Sequence, residues 1–182
     1  MDRFARVVLG YHGCDADFAD SVLSGATSVR DWRESRNRYD WLGHGIYFWE
    51  HAPERALEWA AAREKRGVIG AVIQLGVCLD FTDVRYTSAL KGMHKGLKET
   101  YAAAGRELPS NKRGNRMLDC LVINELVRQT DAGFQTVRGP FLEGPSAFPK
   151  SGIRRQSHVQ VAVIDRSCIL GVFRPNIETR EA

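Results

Sequence analysis

Apolar and polar positions alternate with a period of two along "RVVLGYH" (6–12). Val8, Gly10 and His12 fall on one face and Val7, Leu9 and Tyr11 on the other, which predicts a strand ending at His12 and Gly13. In "DADFADSVLSG" (15–25) the period lengthens to that of a helix. Phe18 and Val22 share a stripe, Asp15 suits the N-cap and Gly25 the stop. Alternation returns in "GHGIYFWE" (43–50), with Ile46 and Phe48 on one side and Tyr47 and Trp49 on the other. Pro53 opens a predicted helix over 53–65, because the first helical turn has no use for the N–H that proline lacks. "VIGAVIQLG" (68–76) and "VCLDFT" (77–82) predict strands that part at Gly76. Helices are predicted over 88–105 and 115–130, the second apolar through its centre. "FQTVRG" (134–139), "SHVQVAVID" (157–165) and "CILGVFRP" (168–175) predict the remaining strands. Strands crowd both ends with helices between them, a pattern of α+β rather than regular βαβ units. It predicts one domain over 1–175, with a basic helical elaboration at about 84–130 and a frayed tail over 176–182.

Composition narrows this only slightly. At 182 residues and 43% hydrophobic, the chain can bury a real core. A net charge of +4 and a pI near 9.0 hint at a polyanionic partner. The four cysteines (Cys14, Cys78, Cys120, Cys168) form no CxxC pair, and the five histidines are scattered, so no metal site is expected. Unpaired cysteines in apolar runs fit a reduced, cytoplasmic protein. "MDRFARVVLGYHG" has no signal-peptide apolar region, and no stretch is long enough to span a bilayer, so no membrane association is expected. No GxGxxG opens a βαβ unit, which disfavours a Rossmann dehydrogenase.

Three strand positions carry candidate chemistry: His12 in "GYHGC", Tyr47 in "GHGIYFWE" and Gln160 in "SHVQVAV". In this order they resemble the ADP-ribosyltransferase superfamily, on its poly(ADP-ribose) polymerase-like and diphtheria-toxin-like side. That side shows a histidine-glycine at the end of its first strand, a G-x-G-I-Y-F strand next, and a glutamate on a later strand. "YHG" and "GHGIYF" match the first two elements. "SHVQV" fills the third but carries glutamine where the family has glutamate. The resemblance spans roughly 6–173 and implies a fold of split antiparallel sheets around an NAD cleft, with NAD+ as co-substrate. His12 would hydrogen-bond ribose hydroxyls and the Gly13 backbone would read the nicotinamide carboxamide. Tyr47 would stack on the nicotinamide, with Gly45 allowing close approach of the ligand or simply a tight bend. Gln160 would accept from the ribose 2'-hydroxyl. Cleaving the nicotinamide–ribose bond creates an oxocarbenium-like sugar, and an uncharged amide stabilises it less than a carboxylate does. Transfer of a single ADP-ribose unit is therefore expected, with Glu143 or Glu50 as alternative carboxylates.

The loop 28–43 concentrates Arg30, Arg33, Arg36 and Arg38, which suit a pyrophosphate but equally a solvated surface anchored by Trp32 or Trp41. Ser28, Arg38 and Tyr39 are its candidate contacts to the dinucleotide. Lys91, Lys95, Lys98, Arg106, Lys112, Arg113 and Arg116, with a second group at Lys150, Arg154 and Arg155, favour a nucleic-acid acceptor (RNA or DNA) over a protein side chain. The resemblance extends to bacterial toxin–antitoxin and phage-defence members, which implies an inhibitory antitoxin partner. Two rivals remain open, an NAD glycohydrolase and a non-catalytic NAD- or nucleic-acid-binding module.

Overall fold

The computed structural model describes residues 6–112 and 114–177. Its strands are β1 (Val7–Asp15), β2 (Ile46–Glu50), β3 (Arg66–Gln74), β4 (Cys78–Asp80), β5 (Thr136–Phe141), β6 (His158–Val163) and β7 (Ile169–Phe173). Its α-helices are α1 (Ala16–Leu23), α2 (Pro53–Trp59), α3 (Val84–Ala103) and α4 (Met117–Gln129). The class is α+β. The strands form one seven-stranded sheet in the order β4-β5-β6-β2-β1-β3-β7. It is mixed rather than wholly antiparallel, because β4 runs parallel to β5. Two separate sheets were expected, and what remains of that division is a seam. β1 pairs with β3 at nine positions but with β2 at only two, Gly10 with Glu50 and Tyr11 with Trp49. Beyond Tyr11 the two strands diverge, β1 staying with β3 and β2 with β6.

Register assigns each side chain to a face. Val8, Gly10, His12, Ile46, Phe48, Ile69, Ala71, Val161 and Val163 share one face. There they bury against Ala19 and Val22 of α1 and against Trp32 of the long loop. Asp15 caps α1 as the pattern predicts, its carboxylate accepting from the Asp17 N–H. At one end of this face Arg138 lies between Glu50 and Asp80, and Arg6 also reaches Asp80.

Two separate sets of helices cover the opposite face. α2 packs Ala56 against Trp49 and Val68. α3 and α4 cover Leu79, Val137 and Ala162 with Ile123, Leu126 and their neighbours. Between these covers lie Gln160 and His158 of β6, on the same face as Tyr47 and Trp49. The segment 142–157 connects β5 to β6 beside them.

Several boundaries differ from the sequence pattern. α3 starts at Val84 rather than Ser88, because the Asp83 carboxylate accepts from the Arg85 N–H and caps it four residues earlier. β5 runs on through Gly139 and Pro140 to Phe141. Pro140 is tolerated because its β4 neighbour ends at Asp80, opposite Arg138, so no donor is needed on that side. All four cysteines are free and buried. Arg113 and residues 178–182, which include most of the expected frayed tail, lie outside the described residues. No helix among the described residues is long and apolar enough to cross a membrane.

Candidate functional site

The parting of β1 from β2 sets the local chemistry. The Leu9 carbonyl accepts from the His51 N–H, so it faces the β2 edge. Backbone groups alternate sides along a strand, so those of Tyr11 and Gly13 face that edge as well. Tyr11 finds Trp49 there, whereas no bridge pairs Gly13 with β2. The Gly13 N–H and C=O therefore point across the seam without a β2 partner, in a residue that is itself buried. A side chain at Gly13 would collide with α2, since a Cβ would sit 2.1 Å from the Ala56 carbonyl oxygen.

His12 bridges the same gap. Its Nδ1 lies 2.8 Å from the Tyr47 carbonyl oxygen. A carbonyl only accepts, so Nδ1 carries the hydrogen and Nε2 is left as an acceptor. The ring rests against Trp32 and Phe48, with centroids 4.8 and 5.7 Å away. Burial drives its pKa down to about 4, and the Arg63 charge adds to this while the Tyr47 carbonyl opposes it. The imidazole is thus neutral at pH 7.

Tyr47 is firmly held. Its hydroxyl donates to the Gly43 carbonyl at 2.6 Å and accepts from the Leu42 N–H at 2.8 Å. Burial raises its pKa well above the ordinary value. The ring packs with the core beneath α3 and α4, so Tyr47 braces the turn that leads into β2. Gly45 meets protein rather than open space, since a Cβ there would lie 3.0 Å from the Val163 carbonyl.

Gln160 pairs in register with Trp49 on one side and Gly139 on the other. It is buried, and its Nε2 lies 2.9 Å from His158 Nε2. His158 in turn places Nδ1 2.7 Å from the Gln156 carbonyl. Glu143 approaches that imidazole at 3.6 Å and binds Arg55 of α2 at 2.9 Å. Trp41 and Phe141 lie close to the His158 ring. Of the two alternative carboxylates, Glu143 therefore belongs to this cluster. Glu50 points to the opposite face, where it grips Arg138 at 2.6 and 2.8 Å.

A cleft of about 960 Å³ opens beside this cluster, lined by Trp49, Arg55, Trp59, Arg66, Gln156 and Ile177 among others. Trp49 is 95% buried, since only 5% of its surface is exposed. Its indole Nε1 nonetheless has no hydrogen-bond partner among the described residues, and neither does Arg55 Nε. Trp59 stands 65% exposed, its ring 5.6 Å from that of Trp49. Unpaired buried donors next to an exposed aromatic suit a flat ligand rich in acceptors. Sequence reasoning missed Trp49, Arg55 and Trp59. The alternation of β2 placed Trp49 with Tyr47, but nothing local showed that α2 would bring Trp59 to it.

The other predicted contacts lie elsewhere. The Ser28 hydroxyl caps a short 3-10 turn by accepting from the Arg30 N–H. Arg38 and Tyr39 are exposed on the loop. Among the described residues no hydrogen bond or ring contact joins them to Gln160, Trp49 or Trp59. Trp32 is the loop's anchor in the core, and Arg166 donates to its carbonyl. Beyond Trp41 and Phe141 a second, mostly apolar groove of about 450 Å³ runs between α3, α4 and β5, with Lys91 and His94 on its wall. Arg116 lies over the Trp41 ring at 5.0 Å. Lys95, Lys98, Lys112, Lys150, Arg154 and Arg155 are exposed. No cluster of metal-ligating side chains occurs among the described residues.

No family model, curated protein or solved structure matches the chain.

Proposed function

We propose that the protein transfers a single ADP-ribose unit from NAD+ to an acceptor and releases nicotinamide. The observation that carries this reading is the seam. It leaves the Gly13 N–H and C=O unpaired by β2, while Trp49, which lines the cleft, and Gln160 share one sheet face. A carboxamide needs one donor and one acceptor side by side, which a single strand residue supplies. The ring of nicotinamide would find Trp59 and Trp49. The Gln160 carbonyl oxygen would accept from a ribose hydroxyl, while His12, on the other face of the sheet, would hold the seam in shape through its bond to the Tyr47 carbonyl.

In the reaction the bond between ribose C1' and the nicotinamide nitrogen breaks, and its electron pair leaves with the now neutral nicotinamide. A nucleophilic atom of the acceptor forms the new bond to C1' and gives up its proton. Glu143 is the carboxylate nearest to the cluster that could take that proton. Neutral hydrogen-bond acceptors around the sugar supply modest stabilisation of its positive charge, enough for one transfer per acceptor.

Charge favours nucleic acid as the acceptor. Lys91 on the wall of the groove and Arg116 over the Trp41 ring flank the side bounded by Trp41 and Phe141, Lys95 and Lys98 are exposed on the same helix as Lys91, and Arg154 and Arg155 are exposed on the segment that leads into β6. Phosphates would bind there without sequence preference. The family resemblance alone suggests a cellular role as a toxin or defence effector.

NAD+ labelled in its adenylate half, incubated with separate RNA, DNA and protein fractions, tests the reading. Label should become fixed to nucleic acid and be lost on His12→Ala or Gln160→Ala, with Gln160→Ala lowering kcat more than it raises KM. Free ADP-ribose alone would indicate hydrolysis, and label in protein would move the acceptor class.

A further inference from the structure

His158 has no part in the proposed transfer as described so far, yet it is the sole side-chain partner of Gln160 among the described residues. Its own side chain is fully buried. The hydrogen-bond geometry allows only one arrangement. The Gln156 carbonyl cannot donate, so His158 Nδ1 holds the hydrogen. In a neutral ring Nε2 is then a bare lone pair, and the Gln160 side-chain nitrogen 2.9 Å away must donate to it. Turning the amide over would set two acceptors against each other. The Gln160 carbonyl oxygen is consequently the atom left without a side-chain partner among the described residues.

We propose that His158 is a positioning residue that locks the Gln160 amide with its carbonyl oxygen toward the donor sugar. This rests on the transfer reading for its consequence, though not for its geometry. It also accounts for glutamine at a position where a resembling family carries glutamate. A carboxylate has no hydrogen to offer Nε2, so glutamate at 160 would require a proton on the imidazole. The histidine and the glutamine are matched.

The charged groups around His158 are Arg55 and Glu58 on α2 and Glu143 on the connecting segment. Trp41 and Phe141 supply the uncharged walls. Burial first and Arg55 next disfavour the imidazolium, against the Gln156 carbonyl, Glu143 and Glu58, and the net effect lowers the pKa. When acid protonates the ring, Nε2 becomes a donor. The amide must then turn over and present its NH2 group, which cannot accept from a ribose hydroxyl.

The test is an NMR titration of the full chain with the Gln160 side-chain amide and the His158 ring observed together, alongside nicotinamide release from NAD+. The Gln160 NH2 signals should shift with the same midpoint as the His158 ring. In Gln160→Glu the His158 midpoint should move up by at least one pH unit. His158→Phe keeps a flat ring but no acceptor, and should lower kcat about tenfold with KM for NAD+ changed less than about twofold. It should also lose the part of the acid limb that follows the His158 midpoint. Independent titrations of the two residues, or a Gln160→Glu protein with an unmoved His158 midpoint, would overturn the proposal. If the titrations coincide and the wild-type protein releases no nicotinamide, the transfer reading fails while the locked amide stands. If release is rapid and the titrations are independent, the lock fails and the transfer reading stands.

Discussion

Replacing Arg138 with alanine should be among the most damaging single changes outside the cleft. The Arg138 side chain is 16% exposed and its partners Glu50 and Asp80 are 11% and 4% exposed. It grips Glu50 through two hydrogen bonds of 2.6 and 2.8 Å and reaches both oxygens of Asp80 at 3.3 Å. The variant does not orphan both carboxylates equally. Asp80 keeps Arg6 at 2.8 Å and two bonds from Thr82. Burial pushes the Asp80 pKa up, but the Thr82 bonds together with Arg6 and Arg138 outweigh it and hold the value below normal. Glu50 loses its guanidinium altogether. Removing one member of a buried ion pair costs about 3–5 kcal/mol, and the surviving Asp80 contacts place this case near about 3 kcal/mol. For a chain of this size that corresponds to a Tm fall of roughly 6–12 °C. Urea unfolding followed by circular dichroism measures it. A deficit below about 1 kcal/mol at pH 7 would refute the idea that Glu50 depends on Arg138. Glu50→Gln should leave nicotinamide release per folded molecule unchanged, in keeping with the placement of Glu50 on the opposite face.

Other perturbations test the seam. The His12 pKa falls from 6.5 to about 4 on folding, so between those pH values the unfolded chain takes up a proton that the folded one refuses. Stability should therefore decline as pH drops through this window, by up to about 3 kcal/mol from this group, and His12→Gln should flatten that slope in urea titrations. Tyr47→Phe removes the bonds to Leu42 and Gly43 and should cost about 1–3 kcal/mol. It keeps the ring, so NAD+ affinity by calorimetry should stay within about twofold if the ring alone contributes. Gly13→Ala drives a methyl into the Ala56 carbonyl and should destabilise by about 1–3 kcal/mol, with a changed tryptophan emission as α2 shifts beside Trp49 and Trp59.

Much of this architecture was legible in the chain because its signals are local. Asp15 at a cap, Pro53 at a first turn and the alternation of β1 and β2 each act within a few residues. The face assignments of His12, Phe48, Tyr47 and Trp49 follow from parity alone. What was not legible depends on pairing between distant segments. Parity cannot say that β1 and β2 share two rungs and then part. Nor can it say that α2 brings Trp59 against Trp49, or that Gln156 fixes the tautomer of His158. Gln160 looked like an ordinary polar residue on a half-exposed strand, and its burial comes from Trp49 and Gly139 on either side. Ser28 carried a plausible role that a local cap absorbs, because hydroxyls serve backbone and ligand equally well.

The sheet can also be viewed as two plates, β4-β5-β6-β2 and β1-β3-β7, joined by two rungs. Within each plate the ladders are long, but across the join most cohesion comes from side chains such as Phe48 and Ile73 in a shared apolar core. Apolar contacts have no preferred direction, so they slide where hydrogen bonds would snap. A shearing load would make the molecule yield along this line first. Modest relative rotation of the plates would widen or narrow the gap between Gly13 and β2 at the expense of very few backbone bonds.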